Sequence, residues 1–364
     1  MPEPTVRLRA AIVGTGRIAS TYDDEVVNPL PAAYYQGENR HAGMYTVLPV
    51  NHAESYQTTP GFDLVAAANR GADKLHAFGE RRGVRALYTD FRQMLRQEQP
   101  DVVSVCTQSA DKAEVTVAAA EAGVKAIIVE KAMATSMAEA DAMIAACERN
   151  GVFLAVNHPY RFSPIARESK RLIEDGVIGP LTTMSVHSLG GTLHVGTHSF
   201  DLLRYWAGDA VTVHAQMPGY VRGKDQPARG WVEFADGVTA FFDHTHGEQP
   251  QIEARGKDGY LTVSTLVGDG VVGRFAPMYA PDAVRKYPNR LRLESLDAGP
   301  HDVSLTQRLL AEVHATLTGG APFVSTGRDG AAALELGIAC HLSHLSGGPV
   351  TLPITDRDFR VENR

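Results

Sequence analysis

Short apolar runs alternate with amphipathic stretches from about residue 7 to residue 160. Five runs are apolar on both faces, as strands must be when helices cover both sides of a sheet; they are LRAAIVG, FDLVAAAN, DVVSVCT, KAIIVEK and VFLAVNHP. Four stretches between them have apolar residues at helical spacing: ADKLHAFGERRG, FRQMLRQ, DKAEVTVAAAEAG and SMAEADAMIAACERNG. This alternation predicts a doubly wound parallel sheet.

The pattern changes after a predicted helix that ends near Gly176. The later runs are strands with hairpin-type links such as ADG and KDG: LTTMSVHS, VTVHAQM, GWVEFAD, VTAFFDHT, QIEARG, YLTVS and RLRLESLD. One helix interrupts them and two follow: THSFDLLRYWAG, LTQRLLAEVHATLTGG and DGAAALELGIACHLSHLSG. We therefore predict a first domain over residues 1–157. Residues 158–364 form a second, α+β domain with a large, mainly antiparallel open sheet, and its closing helices pack back on the first domain.

Composition narrows the class of protein. A chain of 364 residues suits two domains. A net charge of −7 without a basic run argues against nucleic-acid binding. No apolar run reaches membrane-spanning length, and the first residues lack the apolar region of a signal peptide. Cys106, Cys147 and Cys340 are far apart and odd in number, which favours unpaired thiols. These features predict a cytoplasmic enzyme without nucleic-acid or membrane partners.

The turn after the first strand reads Gly14-Thr15-Gly16-Arg17-Ile18-Ala19. The first glycine permits a tight turn, the second lets the backbone approach a pyrophosphate, and the small sixth residue lets helix and strand pack closely. Phosphates then lie at a helix N-terminus, where free N–H groups favour anions. In the first strand–helix turn of such a sheet, this pattern predicts a dinucleotide-binding Rossmann domain.

The second strand ends in Asn69-Arg70, where an NAD site usually has an acidic residue for the ribose hydroxyl. Arg70 could instead pair with a 2′-phosphate. The sequence therefore predicts NADP or NAD as cofactor and favours NADP. The alternative is that Arg70 stacks on the adenine, which leaves NAD possible.

Asn69, at the end of the second strand, lies many more residues after the glycines than the corresponding position of a typical Rossmann domain. The excess, about residues 20–51, is rich in Pro, Gly and Asn, and we interpret it as an insertion in the first crossover. It begins with Asp23, Asp24 and Glu25, which would repel phosphates. These carboxylates are predicted to start an excursion that leads away from the cofactor.

Several segments in one order resemble the glucose–fructose oxidoreductase / inositol dehydrogenase / rhizopine catabolism (Gfo/Idh/MocA) family. Glu130-Lys131 in VEKAMATS resembles its Glu-Lys-Pro motif. The other matching segments are CTQSADKAEVTVAAAEAGVKAIIVEK, VNHPYRFSP, GGTLHVGTHSFDLLRYWAG, EARGKDGYLTV and GGAPFVSTGRDGAAALELGIA. The resemblance covers almost the whole chain except the insertion.

The resemblance implies hydride transfer between a nicotinamide and a hydroxyl-bearing carbon of a sugar, sugar derivative or cyclitol, in a homodimer or homotetramer. It makes Lys131 and His198 the catalytic pair, with Asp201 orienting the imidazole or capping its helix. The implied substrate contacts are Asn157, Tyr160, Arg161, His194 and Asp201. The implied cofactor contacts are Gly14, Thr15, Gly16, Arg17, Ile18, Asn69, Arg70, Thr107, Gln108, Glu130, Lys131 and Asn157.

This chain departs from the family pattern at three places. Ala132 replaces the usual proline, which leaves open whether the Lys131–Ala132 bond is cis or trans. His194 stands where the family usually has Asp, so hydroxyl recognition should differ. Gln108 and Lys112 replace a frequent Pro and His.

The spacing of His194 and His198 raises the question of a metal. The chain has neither an HExxH motif nor a pair of thiolate ligands, and Gly196 argues against one helix through both imidazoles, so we predict no metal.

Two other functions stay open for this fold. One is a redox-assisted glycosidase or lyase that keeps its nicotinamide bound and shows no net turnover of it. The other is a non-catalytic dinucleotide-binding regulator, which the presence of both Lys131 and His198 disfavours.

Overall fold

A computed structural model describes residues 6–25, 47–265, 268–276, 290–296, 298 and 302–363. The strands are β1 (Leu8–Val13), β2 (Phe62–Ala68), β3 (Ala86–Tyr88), β4 (Val102–Val105), β5 (Ala126–Glu130), β6 (Phe153–Asn157), β7 (Leu181–Leu189), β8 (Ala210–Gln216), β9 (Arg229–Phe234), β10 (Thr239–Asp243), β11 (Thr245–Gly256), β12 (Gly259–Ser264), β13 (Asp269–Ala276), β14 (Arg290–Ser295) and β15 (Val350–Thr351). The α-helices are α1 (Tyr22–Glu25), α2 (His52–Thr58), α3 (Ala72–Arg82), α4 (Phe91–Glu98), α5 (Ser109–Glu121), α6 (Met137–Arg149), α7 (Pro164–Glu174), α8 (Gly196–Ala207), α9 (Leu305–Gly319) and α10 (Gly327–Ser346). A π-helix spans Arg17–Thr21, and a 3-10 helix spans Pro159–Phe162. None of the described helices is long and apolar enough to cross a lipid bilayer.

The first sheet has six parallel strands in the order β3-β2-β1-β4-β5-β6. The order reverses between β1 and β4, and ligands bind at the carboxyl ends of the strands beside such a reversal. Glu130 pairs in register with Asn157, so these two side chains leave the sheet at that edge. The predicted Rossmann sheet is confirmed.

The second sheet has nine strands in the order β14-β13-β12-β11-β7-β10-β9-β8-β15. Among the described strands, β7 and β10 form its one parallel pair and the other pairs are antiparallel. One face is covered by helices: Phe200 of α8 packs on Phe242 of β10 with ring centroids 5.1 Å apart. The other face exposes Phe241 and Leu293. This confirms the predicted α+β fold with an open sheet.

Helix α10 returns to the first sheet. Thr326, just before it, forms a bridge with Ala155 of β6. A Cβ atom on Gly330 would lie 2.5 Å from the Val156 side chain, so only glycine permits this close approach. The chain thereby joins the two sheets close to the carboxyl edge of the first.

Four short or irregular elements escaped the sequence analysis: β3, α2, β13 and β15. β3 and β15 have three and two residues, too few for a periodic pattern. α2 (HAESYQT) mixes polar and apolar residues, and β13 contains two glycines, which weaken a strand pattern.

Candidate active site

A cavity of about 600 Å³ lies between the carboxyl edge of the first sheet and the second domain. The predicted site residues that line it are Gly16, Arg17, Ile18, Thr107, Gln108, Glu130, Lys131, Asn157, Tyr160, His194 and His198. The predicted site residues outside its lining are Gly14, Thr15, Asn69, Arg70, Arg161 and Asp201. Side chains far apart in sequence, from both domains, therefore meet in one space.

The glycine turn has room for a dinucleotide. Gly14 has a φ of +91°, and a Cβ on it would lie 2.8 Å from the Cys106 carbonyl carbon. A Cβ on Gly16 would meet no protein atom within 4 Å, although Gly16 lines the cavity. Thr107 and Asn157, at the ends of β4 and β6, each have a buried side-chain oxygen without a hydrogen-bond partner among the described residues. Open space beside the turn and these oxygens fit a bound dinucleotide.

The end of β2 is polar and holds an exposed cation. Asn69 Oδ1 accepts from the Thr15 backbone N–H at 3.4 Å, which ties the glycine turn to β2. The Arg70 side chain is 85% exposed and pairs with Asp111 of α5 at 2.6 Å. Arg70 thus lies outside the cavity lining, with a carboxylate already beside its guanidinium.

The structure shows what the first two residues of the acidic run Asp23-Asp24-Glu25 bind. Its carboxylate is buried and accepts from the backbone N–H groups of Val50 and Asn51 at 3.1 Å and from the Asn51 side chain at 2.5 Å. Asp24 pairs with Arg81 of α3. Asp23 therefore fixes the two ends of the excursion together, while residues 26–46 lie outside the described part of the chain.

A buried hydrogen-bonded chain supports Glu130 at the cavity floor. Glu130 Oε1 accepts from Asn157 Nδ2 at 2.7 Å and pairs with His52 Nε2 at 2.9 Å. The other ring nitrogen of His52 lies 3.0 Å from Ser104 Oγ, which is 2.8 Å from the Tyr56 hydroxyl. Helix α2 thus reaches the cavity through β4 and β5.

The charges of His52 and Glu130, which are hydrogen-bonded to each other, are coupled. Burial alone would lower the pKa of His52, but Cys106 and Glu130 outweigh it and raise that pKa to about 10. Burial alone would raise the pKa of Glu130, but the hydrogen bond and charge of His52, the charge of Lys112 and the Asn157 amide lower it to about 2. At neutral pH the pair is an imidazolium and a carboxylate.

Lys131 follows β5 directly, and its ammonium donates to the His194 carbonyl at 2.6 Å across the two domains. Burial lowers its pKa; Glu130 and Asp225 oppose that shift, and Arg17 adds to it. The Lys131–Ala132 peptide bond, left open by the sequence, is cis.

Lys112 holds the backbone around Lys131. Its ammonium is buried and donates to the carbonyls of Ala132 at 2.8 Å and Lys131 at 3.2 Å. Burial lowers the pKa of Lys112 to about 7, against the pull of the Glu130 carboxylate.

His198 lies in the first turn of α8, and His194 precedes that helix, so the two imidazoles do not share one helix. The ring of His198 packs against Tyr160 at 5.1 Å and His158 at 6.0 Å between centroids. Its Nδ1 is buried and has no partner among the described residues. Burial, followed by the charges of Lys131, His158 and His194, holds the pKa of His198 well below its usual value of 6.5. His198 is therefore a neutral imidazole at pH 7.

Asp225 fixes the turn before α8. Its carboxylate accepts from the backbone N–H groups of Leu193 at 2.9 Å and His194 at 2.8 Å. A Cβ on Gly191 would lie 2.2 Å from Asp225 Oδ2, so only glycine leaves room for this carboxylate. The turn so held presents the carbonyl that binds Lys131.

Arg161 and Asp201 form a buried ion pair with an Nε–Oδ2 distance of 2.8 Å. Arg161 also pairs with Asp329 of α10 at 3.0 Å. Because neither residue lines the cavity, the structure places them apart from the other predicted substrate contacts. Since Nδ1 of His198 has no described partner, Asp201 does not hold that nitrogen.

The described residues contain no group of three or more His, Cys, Asp or Glu side chains able to hold a metal ion. All three cysteines are free and buried.

The sequence analysis missed several residues of this site. Those in the lining are Tyr22, Val50, Cys106, Pro159, Ser188, Leu189, Val195, Leu305, Thr306 and Asn363. His52 and Asp225 act from behind the lining. Cys106, Pro159 and Val195 lie in segments that resemble the family. The others carry no motif and reach the site only through contacts made by the fold. Lys112 was noticed only as a departure from the family pattern.

Comparison with protein families gives two matches. The model described as "Oxidoreductase family, NAD-binding Rossmann fold" matches residues 42–158. The model described as "Oxidoreductase family, C-terminal alpha/beta domain" matches residues 182–352. The first match begins after the glycine turn, inside the predicted insertion. Both models are Gfo/Idh/MocA models, and together they cover most of the chain.

Individual proteins are also similar. D-apiose dehydrogenase from Paraburkholderia graminis is 30% identical over 59% of this chain and 64% of its own length, slightly under two thirds. The scyllo-inositol 2-dehydrogenase (NAD(+)) of Bacillus subtilis is 25% identical over 83% of this chain and 93% of its own. The crystal structure of an oxidoreductase from Agrobacterium radiobacter with NAD+, L-tartaric acid and magnesium superimposes with a TM-score of 0.73 at 18% identity, covering 95% of this chain and 98% of that one. That structural likeness supports the fold.

Proposed function

Because the chain belongs to the Gfo/Idh/MocA family of oxidoreductases, we propose that it transfers hydride between a nicotinamide dinucleotide and a hydroxyl-bearing carbon of a sugar, sugar derivative or cyclitol. One observation carries the proposal. Lys131 from the first domain and His198 from the second line the same cavity, beside the open glycine turn. The named relatives act on sugars and cyclitols, which supports the substrate class.

His198 and Lys131 have different roles in the proposed reaction. Oxidation of an alcohol requires that its proton leave, and the neutral imidazole of His198 accepts it as general base. The ammonium of Lys131 stabilises the negative charge that develops on the oxygen. Asn157, Tyr160 and His194 line the same space and orient the substrate. The Arg161–Asp201 pair, buried outside the lining, holds the segment that carries Tyr160 in place.

A bound nicotinamide supplies the acceptor or donor of the hydride. Gly14, Thr15, Gly16, Arg17 and Ile18 would hold the pyrophosphate at the first turn. The remaining contacts proposed for the cofactor are Asn69, Arg70, Thr107, Gln108, Glu130, Lys131 and Asn157. NAD and NADP both fit this set, and Arg70 favours NADP.

The pH profile of alcohol oxidation reports on His198. Since burial and neighbouring cations lower its pKa, the imidazole stays neutral, and able to accept a proton, to a lower pH than an ordinary histidine. We expect the acid limb of kcat/KM to lie below about pH 6.5. Initial rates from pH 4.5 to 8 measure it. An acid limb at or above the ordinary histidine value would contradict a neutral His198 base.

Cofactor choice is expected to depend on Arg70. Its pairing with Asp111 is exposed and costs little to break, so a 2′-phosphate can compete for the guanidinium. Arg70→Ala should weaken NADP binding roughly tenfold and NAD binding much less, while Asp111→Ala should strengthen NADP binding. Fluorescence titration with both cofactors measures this. Arg92→Ala, which removes a similar exposed pair with Glu114, is the matched control. Equal losses of both cofactors would favour adenine stacking.

We further propose that the protein works in the reducing cytoplasm as a homodimer or homotetramer. Its three cysteines are free and buried, which suits a reducing compartment. Phe241 and Leu293, 52% and 61% exposed on the open sheet face, suit burial against a second copy.

A substrate panel tests the proposed function. D-apiose, scyllo-inositol, myo-inositol and D-glucose are each incubated with NAD and with NADP, and absorbance of the reduced nicotinamide is followed. Steady accumulation with at least one compound is expected. If a glycoside added to the same assay is consumed without net cofactor reduction, the protein is instead a redox-assisted glycosidase. Cofactor binding without any conversion of these compounds would indicate a regulator.

A further inference from the structure

We propose that Asn363 determines substrate specificity by accepting a hydrogen bond from a substrate hydroxyl other than the one that reacts. This inference rests on the proposed function. Asn363 lines the cavity. Its Oδ1 atom is buried and has no hydrogen-bond partner among the described residues. An amide oxygen only accepts hydrogen bonds, so the group that complements it is a donor, and polyols carry several hydroxyl donors.

The backbone before Asn363 is fixed by both domains. The Val361 N–H donates to the Thr135 carbonyl of the first domain at 2.9 Å. In the second domain, the Glu362 N–H donates to the Gly223 carbonyl at 2.7 Å, and the Glu362 carbonyl accepts from the Asp225 backbone N–H at 3.1 Å. The Asn363 side chain is therefore delivered to the cavity by a segment tied down on two sides.

Side chains of the same segment reinforce this anchoring. Arg357 makes a bidentate pair with Asp141 of α6, both distances being 2.5 Å. Arg360 pairs with Glu139 at 2.8 Å, and Phe359 is buried. These contacts lie outside the cavity, so the backbone that leads to Asn363 is held independently of a ligand, which lowers the entropy lost on binding.

The cavity contains other unsatisfied polar atoms from the second domain. Ser188 Oγ and His198 Nδ1 are both buried without partners among the described residues, and both residues line the cavity. Buried polar atoms without partners are costly, and a ligand that carries several hydroxyls would satisfy them. An apolar ligand would leave Asn363 and Ser188 unpaired. The cavity thus favours a polyol bound at more than its reacting carbon.

Two variants of Asn363 separate hydrogen bonding from shape. Asn363→Leu keeps the size and removes the acceptor, whereas Asn363→Asp keeps acceptor oxygens. With the best compound of the panel, we expect Asn363→Leu to lower kcat/KM roughly tenfold, mainly through KM. Asn363→Asp should retain most of the activity. Glu362→Gln, which changes an exposed pair with Lys224, is the control that should behave as wild type.

Monodeoxy analogues of that compound identify the hydroxyl. One analogue should lose roughly tenfold in kcat/KM with wild type and lose nothing further with Asn363→Leu, because both changes remove the same hydrogen bond. Unchanged binding of NADH or NADPH shows that the variants fold, and Asn363→Ala replaces the leucine variant if that one does not.

The outcomes distinguish this inference from the proposed function. Wild-type turnover with an unaltered Asn363→Leu variant would overturn the role of Asn363 alone. The role of Asn363 would also be overturned if every deoxy analogue lowered kcat/KM by the same factor with Asn363→Leu as with wild type. Failure of the wild type to turn over any panel compound would overturn the proposed function and this inference with it.

Discussion

Replacing Lys131 or His198 by alanine is expected to lower turnover roughly a hundredfold or more, about 2.7 kcal/mol of transition-state stabilisation. Without the ammonium of Lys131, the charge that develops on the substrate oxygen loses the cation proposed to stabilise it. Without the imidazole of His198, the hydroxyl proton loses its acceptor. Steady-state rates with the best compound of the panel measure both effects, while fluorescence titration should show dinucleotide affinity largely unchanged.

Matched controls separate this effect from a general change of charge. Lys125→Ala removes an exposed lysine that follows α5 and pairs with Asp101. His246→Ala removes an exposed imidazole from the second sheet. Both controls should keep nearly full activity. Near-normal rates in Lys131→Ala and His198→Ala would remove the proposed mechanism, whatever the substrate.

The sequence predicted best the strands and helices in which buried apolar residues form a continuous run or recur at a regular spacing. β4 and β5 are fully buried, and β1 is buried except at Arg9, so the apolar runs of these strands were clear in the sequence. In the long helix α10, the buried residues recur at helical spacing, so this helix was equally clear in the sequence. β13 and α2 have weak periodic patterns and are held by tertiary contacts. The start of α2 still carries a local signal, because the Asn51 side chain caps it by accepting from the Glu54 N–H.

The catalytic pair was predicted from the ordered motifs of a family rather than from spacing, because an isolated lysine or histidine in a sequence has many ordinary roles. The resemblance to the family implied Arg161 and Asp201 as substrate contacts. The fold pairs them with each other outside the cavity lining, because a buried carboxylate and a buried guanidinium each need an opposite charge.

The support of the site depends on partners that only the fold brings together. His52 and Glu130 are 78 residues apart in sequence, and Asn363 is further still from the glycine turn whose cavity it shares. Such pairs leave no local signal. Asp225, which fixes the turn before α8, belongs to a loop between two strands of the second sheet and carries no motif.

Replacing His52 by alanine is expected to lower the free energy of unfolding by about 3–5 kcal/mol, because it leaves the buried Glu130 carboxylate without its charged partner. His52→Gln, which keeps a donor but not the charge, should lose less. Urea denaturation followed by circular dichroism measures both variants, with the exposed His76→Ala in α3 as control.

The loss should depend on pH in a defined direction. Glu130 has a lowered pKa, so its stabilisation is present above its ordinary value of 4.5 and fades as the pH falls below that. His52 has a raised pKa, so its stabilisation is complete below 6.5 and fades as the pH rises towards about 10. The gap between wild type and His52→Ala should therefore be widest between about pH 4.5 and 6.5 and narrower at pH 9.5. A gap that is constant over this range would mean that His52 contributes packing alone, and that the charge of the cavity floor is set elsewhere.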